Sequence, residues 1–424
     1  MRATGGPGVD RVTQDKLLNC IRQSKDAVNT PLYIYSAEQL DLAAERLYRV
    51  FPSAAQLFYS LKANPQPGIV THFARRGIRP EIASAGERQL CLQADVPAED
   101  ILIGGVSKSS GYLAEICESG SYAVVIDSLA EWNRLKALAC REEQPRVLLR
   151  IAPGVPLGGL DMAASSQFGL NVQQAMLMAR ECATGSALFQ GLHFYFGSQR
   201  LTNEPIVKTL DIVMETLRTF RAEGLQVPLV DVGLGCGVPY LEKDRALDYE
   251  ALAEQLRARW QDPVWAGVEI WSEAGRALVG QAGYYVSRVT EVKQLHGKTF
   301  VFLDGGLNNH NPGVGLGRFL RSNPEFLFVT EARSDNRFAV NLVGNLCSSA
   351  DVIGQDVSAP ELREDDLVVI PNSGAYMQTT ALWGFNSQRL FSEMMMDAGG
   401  ALTALVPQHE LWLQANHPNR SNRP

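Results

Sequence analysis

The chain has 424 residues, 46% of them hydrophobic and 20% charged, with a mean hydropathy of −0.08 and a formal net charge of −7. That length exceeds one ordinary core, so two domains are expected, and the acidic balance argues against nucleic acid or an anionic membrane surface as partner. No apolar run reaches the roughly 18–20 residues that span a bilayer, and the opening MRATGGPGVDRVTQDK lacks the apolar core of a signal peptide, so a cytoplasmic address is expected.

From about residue 38 to 280, short β-rich runs alternate with longer helical patterns. The candidate strands are AAQLFYSL (54–61), RPEIAS (79–84), ILIGG (101–105), YAVVID (122–127), VLLRIAP (147–153), FQGLHFYFG (189–197), LVDVGLG (229–235) and VEIWSEAG (268–275). Most are nearly continuous apolar runs, as parallel strands covered on both faces should be. Stretches such as AEQLDLAAERLYRVF and SLAEWNRLKALACRE between them are amphipathic at helical spacing. Eight βα units predict a TIM barrel. Beyond residue 280, GYYVSRVTEVKQL, KTFVFLDGG, RFAVNLVG and DDLVVIPNSG are strands with little helix between them, which predicts a separate C-terminal antiparallel β domain over 281–424. The early strand PLYIYS (31–36) precedes the barrel and is expected to join that later sheet, so residues 1–37 are grouped with it. The seven cysteines (Cys20, Cys91, Cys117, Cys140, Cys182, Cys236 and Cys347) form no CxxC pair and no Cys/His cluster at metal spacing, so neither disulfides nor a metal site is expected.

In a TIM barrel the functional residues gather at the C-terminal ends of the strands. Those ends here carry Lys62, Glu87, Arg150, His193, Tyr195, Gly197, Ser198, the run Gly233, Gly235 and Gly237, and then Glu273, Gly275 and Arg276. Singly, each has a plain structural explanation: a solvated lysine, an ordinary turn glycine, a surface ion pair of little worth. Together on one rim they make chemical sense. The glycines let backbone N–H groups approach a phosphate, Ser198 adds a hydroxyl and Arg276 a charge. A lysine beside a phosphate site with a carboxylate opposite is what pyridoxal 5'-phosphate requires: Lys62 to form the imine, Glu273 to keep the pyridine nitrogen protonated, and Tyr195 to offer a ring face.

The segments FYSLKANP, EIASAGE, GLHFYFGSQ, VDVGLGCGVPY, SEAGR, LDGGLNNH, CSSAD and SGAYM occur in this order. In this the chain resembles the fold-type III pyridoxal-phosphate decarboxylases, which include diaminopimelate, ornithine and arginine decarboxylases, with alanine racemase more distant. The resemblance covers about residues 30–390. It implies Lys62 as the Schiff-base lysine, Glu273 as the pyridine-nitrogen partner, and Ser198, Gly235, Gly275, Arg276 and Tyr376 as phosphate contacts, with Arg150 and Tyr195 also at the cofactor and His193 beside the chemistry. It further implies a two-fold homodimer with a shared active site, in which Cys347 reaches across from the partner subunit to return a proton to the substrate carbon.

The departures concern the substrate. Where relatives acting on diamino acids carry an acidic residue after this cysteine, the chain has Ser348; a buried ammonium without a carboxylate is costly, so a dibasic substrate is disfavoured. The segment LDGGLNNHNPGVGLGRFLRSN lacks the arginine–proline pair of diaminopimelate enzymes, and the usual stacking histidine is Tyr195. These features look most like a subgroup in natural-product and siderophore pathways, including enzymes that decarboxylate an amino acid held on a carrier protein, such as glutamyl-carrier decarboxylase. Ser348, Asp351, His310 and Arg318 are the candidate substrate contacts. The expectation is therefore decarboxylation of an amino acid, possible substrates being a carrier-bound unit or a free amino acid; a racemase using the same cofactor and a relative that has lost the cofactor remain as alternatives.

Overall fold

The structure, a computed structural model, describes residues 11–24, 28–138, 145–152, 154, 160–161, 167–182, 188–312, 322–331 and 336–416. The chain forms two compact units: one built on residues 44–237 and 247–277, the other on the residues up to 43 with 238–246 and 278–414.

In the first unit eight parallel strands close into a barrel: Gln56–Ser60, Arg79–Ile82, Leu102–Ile103, Ala123–Ile126, Arg146–Arg150, Leu188–Tyr195, Leu229–Gly233 and Glu269–Ala274. All eight expected strands are present. Several of the helices that follow barrel strands begin where a side chain accepts a free N–H group of the first turn. Ser84, Ser109 and Ser128 cap Ala85–Gln93, Ser110–Ser119 and Leu129–Lys136, and Asp248 caps Tyr249–Trp260. The longest, Asn203–Ala222, buries Ile206, Leu210, Val213, Leu217 and Phe220, the three- and four-residue spacing of one helix face. Inside the barrel, Phe58, Leu102, Ala123, Val125, Leu148, Leu229 and Trp271 form an apolar layer. It fills the barrel and leaves chemistry to the strand ends beyond it.

In the second unit the strand Leu32–Ser36 lies between Gly283–Leu295, to which it is antiparallel, and Ser392–Met396, to which it is parallel. The early strand therefore does join the late sheet. Lys298–Leu303, Leu327–Val329, Phe338–Val343, Val352–Ala359, Leu367–Ile370 and Leu402–Leu405 complete it. The sheet is mostly antiparallel, with a second parallel pairing between Lys298–Leu303 and Phe338–Val343. The helix Arg11–Gln23 covers one face, placing Leu17 and Ile21 against Leu32, Ile34, Val286 and Val369. Among the described residues no helix is long and apolar enough to cross a membrane.

Candidate active site

Side chains alternate along a strand, so the residue two positions beyond each member of the apolar layer also faces inward. Those residues change character abruptly: Phe58 is followed by Ser60, Val125 by Asp127, Leu148 by Arg150, Leu229 by Asp231 and Trp271 by Glu273. Glu81 sits in register with Ser60, and His193 in register with both Arg150 and Asp231. Two residues further still come Lys62, Tyr195 and Gly233.

Lys62 occupies the single turn Leu61–Ala63 at the end of the first barrel strand. Its Nζ is 3.9 Å from Glu81 Oε2 and 4.9 Å from the centre of the Tyr195 ring. Tyr195 can lie there because Gly233 has no side chain: a Cβ at that position would be 2.7 Å from Tyr195 Cδ2. His193 Nε2 is 3.3 Å from Glu273 Oε1, and both side chains are buried. Burial works against ionisation of Glu273, but His193 and Lys62 bring its carboxyl down to about 2. Glu81 moves the other way, raised by burial and by Glu273, with Lys62 opposing. Glu87 accepts the Ala83 N–H at 2.6 Å, and burial pushes its carboxyl up to about 7.

Ser198 and Arg276 meet on the same rim, the guanidinium Nε donating to Ser198 Oγ at 3.1 Å with both residues buried. Gly235 has a φ of +69°, and a Cβ there would stand 2.3 Å from the Gly197 carbonyl oxygen; at Gly275 it would stand 2.8 Å from Ala63 Cβ. Glycine is what lets these backbones close up. The loop is also held by Arg200, whose guanidinium donates to the Leu234 and Phe196 carbonyls at 3.1 and 3.3 Å while its backbone pairs with Gly235 and Gly237. Arg150 donates to Asp127 at 3.1 Å and lies 4.6 Å from the Phe168 ring centre. Sequence reasoning passed over Glu81, Asp127, Arg200 and Asp231. The first two and the last are polar residues at inward positions of apolar strands, a signal that counting alternate residues could have caught.

Cys347, Ser348 and Tyr376 belong to the second unit. Cys347 and Ser348 are exposed on a turn, the Cys347 N–H bonding Asn386 Oδ1 at 2.9 Å. Tyr376 is half-buried and has a φ of +69°. Two expected substrate contacts have other work. Asp351 is buried, its carboxylate accepting the N–H groups of Leu307 and Leu346 at 2.8 Å each. His310 is buried against Tyr33 and Tyr285, its Nδ1 3.0 Å from the Tyr33 hydroxyl, and burial lowers its pKa to about 3. Both side chains are committed to the fold of their own unit. Arg318 lies outside the described residues.

The donor set of the barrel rim fits pyridoxal phosphate. An amine, a buried ionised carboxylate for a protonated ring nitrogen, an aromatic face, and a hydroxyl with a guanidinium beside close-packed glycines answer the group's reactive carbon, ring and phosphate in turn. His193, Asp231 and Glu273 also converge closely enough to ligate a cation, but the nearby ammonium of Lys62 opposes a second positive charge there. Fold and rim together define a barrel enzyme that uses a phosphate-bearing cofactor.

Residues 38–280 match the family model described as the pyridoxal-binding domain of pyridoxal-dependent decarboxylases. The chain belongs to that family: it is a pyridoxal-phosphate-dependent amino acid decarboxylase. Among its relatives, L-glutamyl-[BtrI acyl-carrier protein] decarboxylase of Niallia circulans is 31% identical over 361 residues, covering 82% of this chain and 84% of the relative. Diaminopimelate decarboxylase of Zymomonas mobilis is 27% identical over 392 residues, 90% of each chain. The crystal structure of diaminopimelate decarboxylase from Helicobacter pylori, complexed with L-lysine, aligns with a TM-score of 0.80 at 23% identity over 93% of this chain and 98% of that one, a likeness of fold.

Proposed function

We propose that the enzyme removes the α-carboxylate of an amino acid tethered to a carrier through its side chain, in a homodimer whose active site draws on both subunits. A tether of that kind leaves the α-carboxylate free to depart, as the reaction requires. The observation that carries the reading is the Cys347 turn. Cys347, Ser348, Ser349 and Ala350 are all exposed and none is acidic, while the next residue, Asp351, is buried and fully engaged by backbone N–H groups. The segment therefore offers no carboxylate to a distal ammonium, and such a cation would meet an uncompensated desolvation cost. The Niallia circulans relative, which acts on a glutamyl carrier protein, supports the same reading.

The proposed residue roles follow the chemistry of the groups on the barrel rim and, for Cys347 and Tyr376, the family resemblance. Lys62 would hold the cofactor through its amine. Glu273 would serve the ring nitrogen as an anion, with His193 against its carboxylate. Tyr195 would offer its ring face, Arg150 stands on the same inward layer, and Ser198, Gly235, Gly275, Arg276 and Tyr376 would hold the phosphate. When bound, pyridoxal phosphate would supply an electron sink for the pair left on the α-carbon by the loss of CO₂. Cys347 of the partner subunit then gives its thiol proton to that carbon, forming the new C–H bond and leaving a thiolate.

Comparing kcat/KM for carrier-loaded glutamate, free glutamate, lysine, ornithine and diaminopimelate tests the substrate class. The carrier-loaded compound is expected to be turned over at least about tenfold better than any free diamino acid, the cost of one unmatched charged contact. A preference for any free diamino acid would refute the proposal.

A further inference from the structure

Of the buried acids in the barrel interior, Asp231 is the one not yet accounted for. It is fully buried, and among the described residues no donor reaches either of its oxygens. In register it sits between His193 and Trp271, with Glu273 two residues beyond Trp271 on the same inward face. Ligand atoms of Asp231, Glu273 and His193 lie within 4.8 Å of one another. The charged groups that act on Asp231 are Glu273 on the neighbouring strand and Glu81 and Lys62 across the interior. Three buried carboxyls thus lie beside one lysine and one imidazole, and they cannot all be ionised without leaving buried negative charge uncompensated. One acid has to keep its proton. Lys62 faces Glu81 and His193 faces Glu273, so the acid left without a basic neighbour in contact is Asp231.

We propose that Asp231 is a positioning residue for Glu273: it stays protonated during turnover and its acid O–H donates a hydrogen bond to Glu273, which stays the anion that faces the cofactor's ring nitrogen. Electrostatics agree in direction. Burial and then Glu273 drive the Asp231 carboxyl far up, while Glu273 is held at about 2. The arrangement sets the charge behind the ring nitrogen at one unit rather than two, and fixes which oxygen pair carries it. The proposal rests on the role given to Glu273 above, and the measurements separate the two.

The first measurement is the infrared carbonyl stretch of a protonated carboxylic acid at neutral pH, recorded on the full-length protein with and without pyridoxal phosphate. A band that moves on ¹³C-aspartate labelling, disappears in Asp231→Asn and persists in Glu273→Gln is expected. Absence of any aspartate band at neutral pH, or its survival in Asp231→Asn, would overturn the proposal even if other variants fail to fold. The second is cofactor affinity, read by titrating the cofactor-free protein with pyridoxal phosphate. Asp231→Asn, whose amide can still donate, should stay within about threefold of wild type, whereas Asp231→Ala should bind about 10- to 100-fold more weakly, the loss of one hydrogen bond to a charged group. Equal losses in both variants would mean that Asp231 acts as an anion, contrary to the proposal. If the aspartate band is present but Glu273→Gln leaves cofactor affinity and absorbance unaltered, the role given to Glu273 is overturned and Asp231 loses its function while keeping its proton.

Discussion

The two ends of the barrel interior are built by the same strands at the same alternation, yet they do opposite work. At the N-terminal end, Phe58, Tyr122 and Trp271 pack with ring centres 5.0–5.7 Å apart, Arg79 and Arg146 lie over the Tyr122 ring, and the Trp271 indole donates to Glu269 at 2.7 Å. The Tyr122 hydroxyl and the Trp271 indole both have hydrogen-bond partners there, and the aromatic area is largely removed from water. One step up the same strands, Glu81, His193, Asp231 and Glu273 crowd together with buried oxygens and nitrogens that lack good hydrogen bonds. The lower layer spends its residues on stability, whereas the upper one holds unfavourable charge in place for chemistry. Two residues of strand separate the regimes, a distance of about 6–7 Å.

The sharpest way to break this comparison is Lys62→Ala. It should abolish turnover, by at least about a thousandfold, together with the visible absorbance of bound pyridoxal phosphate. Because the Lys62 side chain is 37% exposed, the stability of the cofactor-free protein should change by only about 1 kcal/mol or less. Retained activity with bound cofactor would remove Lys62 from the site. The mirror experiment is Trp271→Ala in the lower layer. Chemical denaturation should reveal a loss of about 3–5 kcal/mol, the cost of emptying a large buried side chain, while kcat of the fraction that remains folded and loaded stays within about threefold, as for a change that leaves the reacting groups alone. A collapse of kcat without loss of stability would mean that the two layers are not separable. A third effect, visible only as a pH dependence, is expected at the edge of the upper layer, at Glu87. Its folded-state pKa, raised to about 7, means that the native protein binds this proton more tightly than the unfolded chain does. Wild-type stability should therefore fall relative to Glu87→Gln as pH rises from about 4.5 to about 7 and then run parallel. Parallel curves throughout would show that the shift is absent.

The same contrast explains what could be read from the sequence. The apolar runs of the barrel strands announce themselves because both faces are covered, and the rim lysine, glycines and Glu273 stand out at their ends. Asp231 and Glu81 do not, since one carboxylate inside VDVG or RPEI looks like a small interruption of an apolar run; its meaning appears only when neighbouring strands bring a second and third carboxyl alongside. In the β unit, Ser392–Met396 escaped notice because SEMMM lacks the β-branched residues that mark strands, and Val352–Ala359 because VIGQDVSA is broken by glycine and polar residues. His310 and Asp351 stand out in the opposite sense. Both are reactive residue types in a segment rich in motifs, and only their hydrogen bonds reveal that one serves an aromatic core and the other a pair of backbone turns.

The strand Leu32–Ser36 has a consequence for how the chain emerges from a ribosome. Both of its sheet partners, Gly283–Leu295 and Ser392–Met396, follow it by hundreds of residues. At roughly 5–20 residues per second, the first partner is made on the order of ten seconds to a minute after it. Through that interval a segment that is fully buried in the finished sheet, LYIYS, lacks both strand partners while the barrel is made. A nascent chain of this design makes a sticky edge early and closes it late, so this strand is a natural point for chaperone capture during translation.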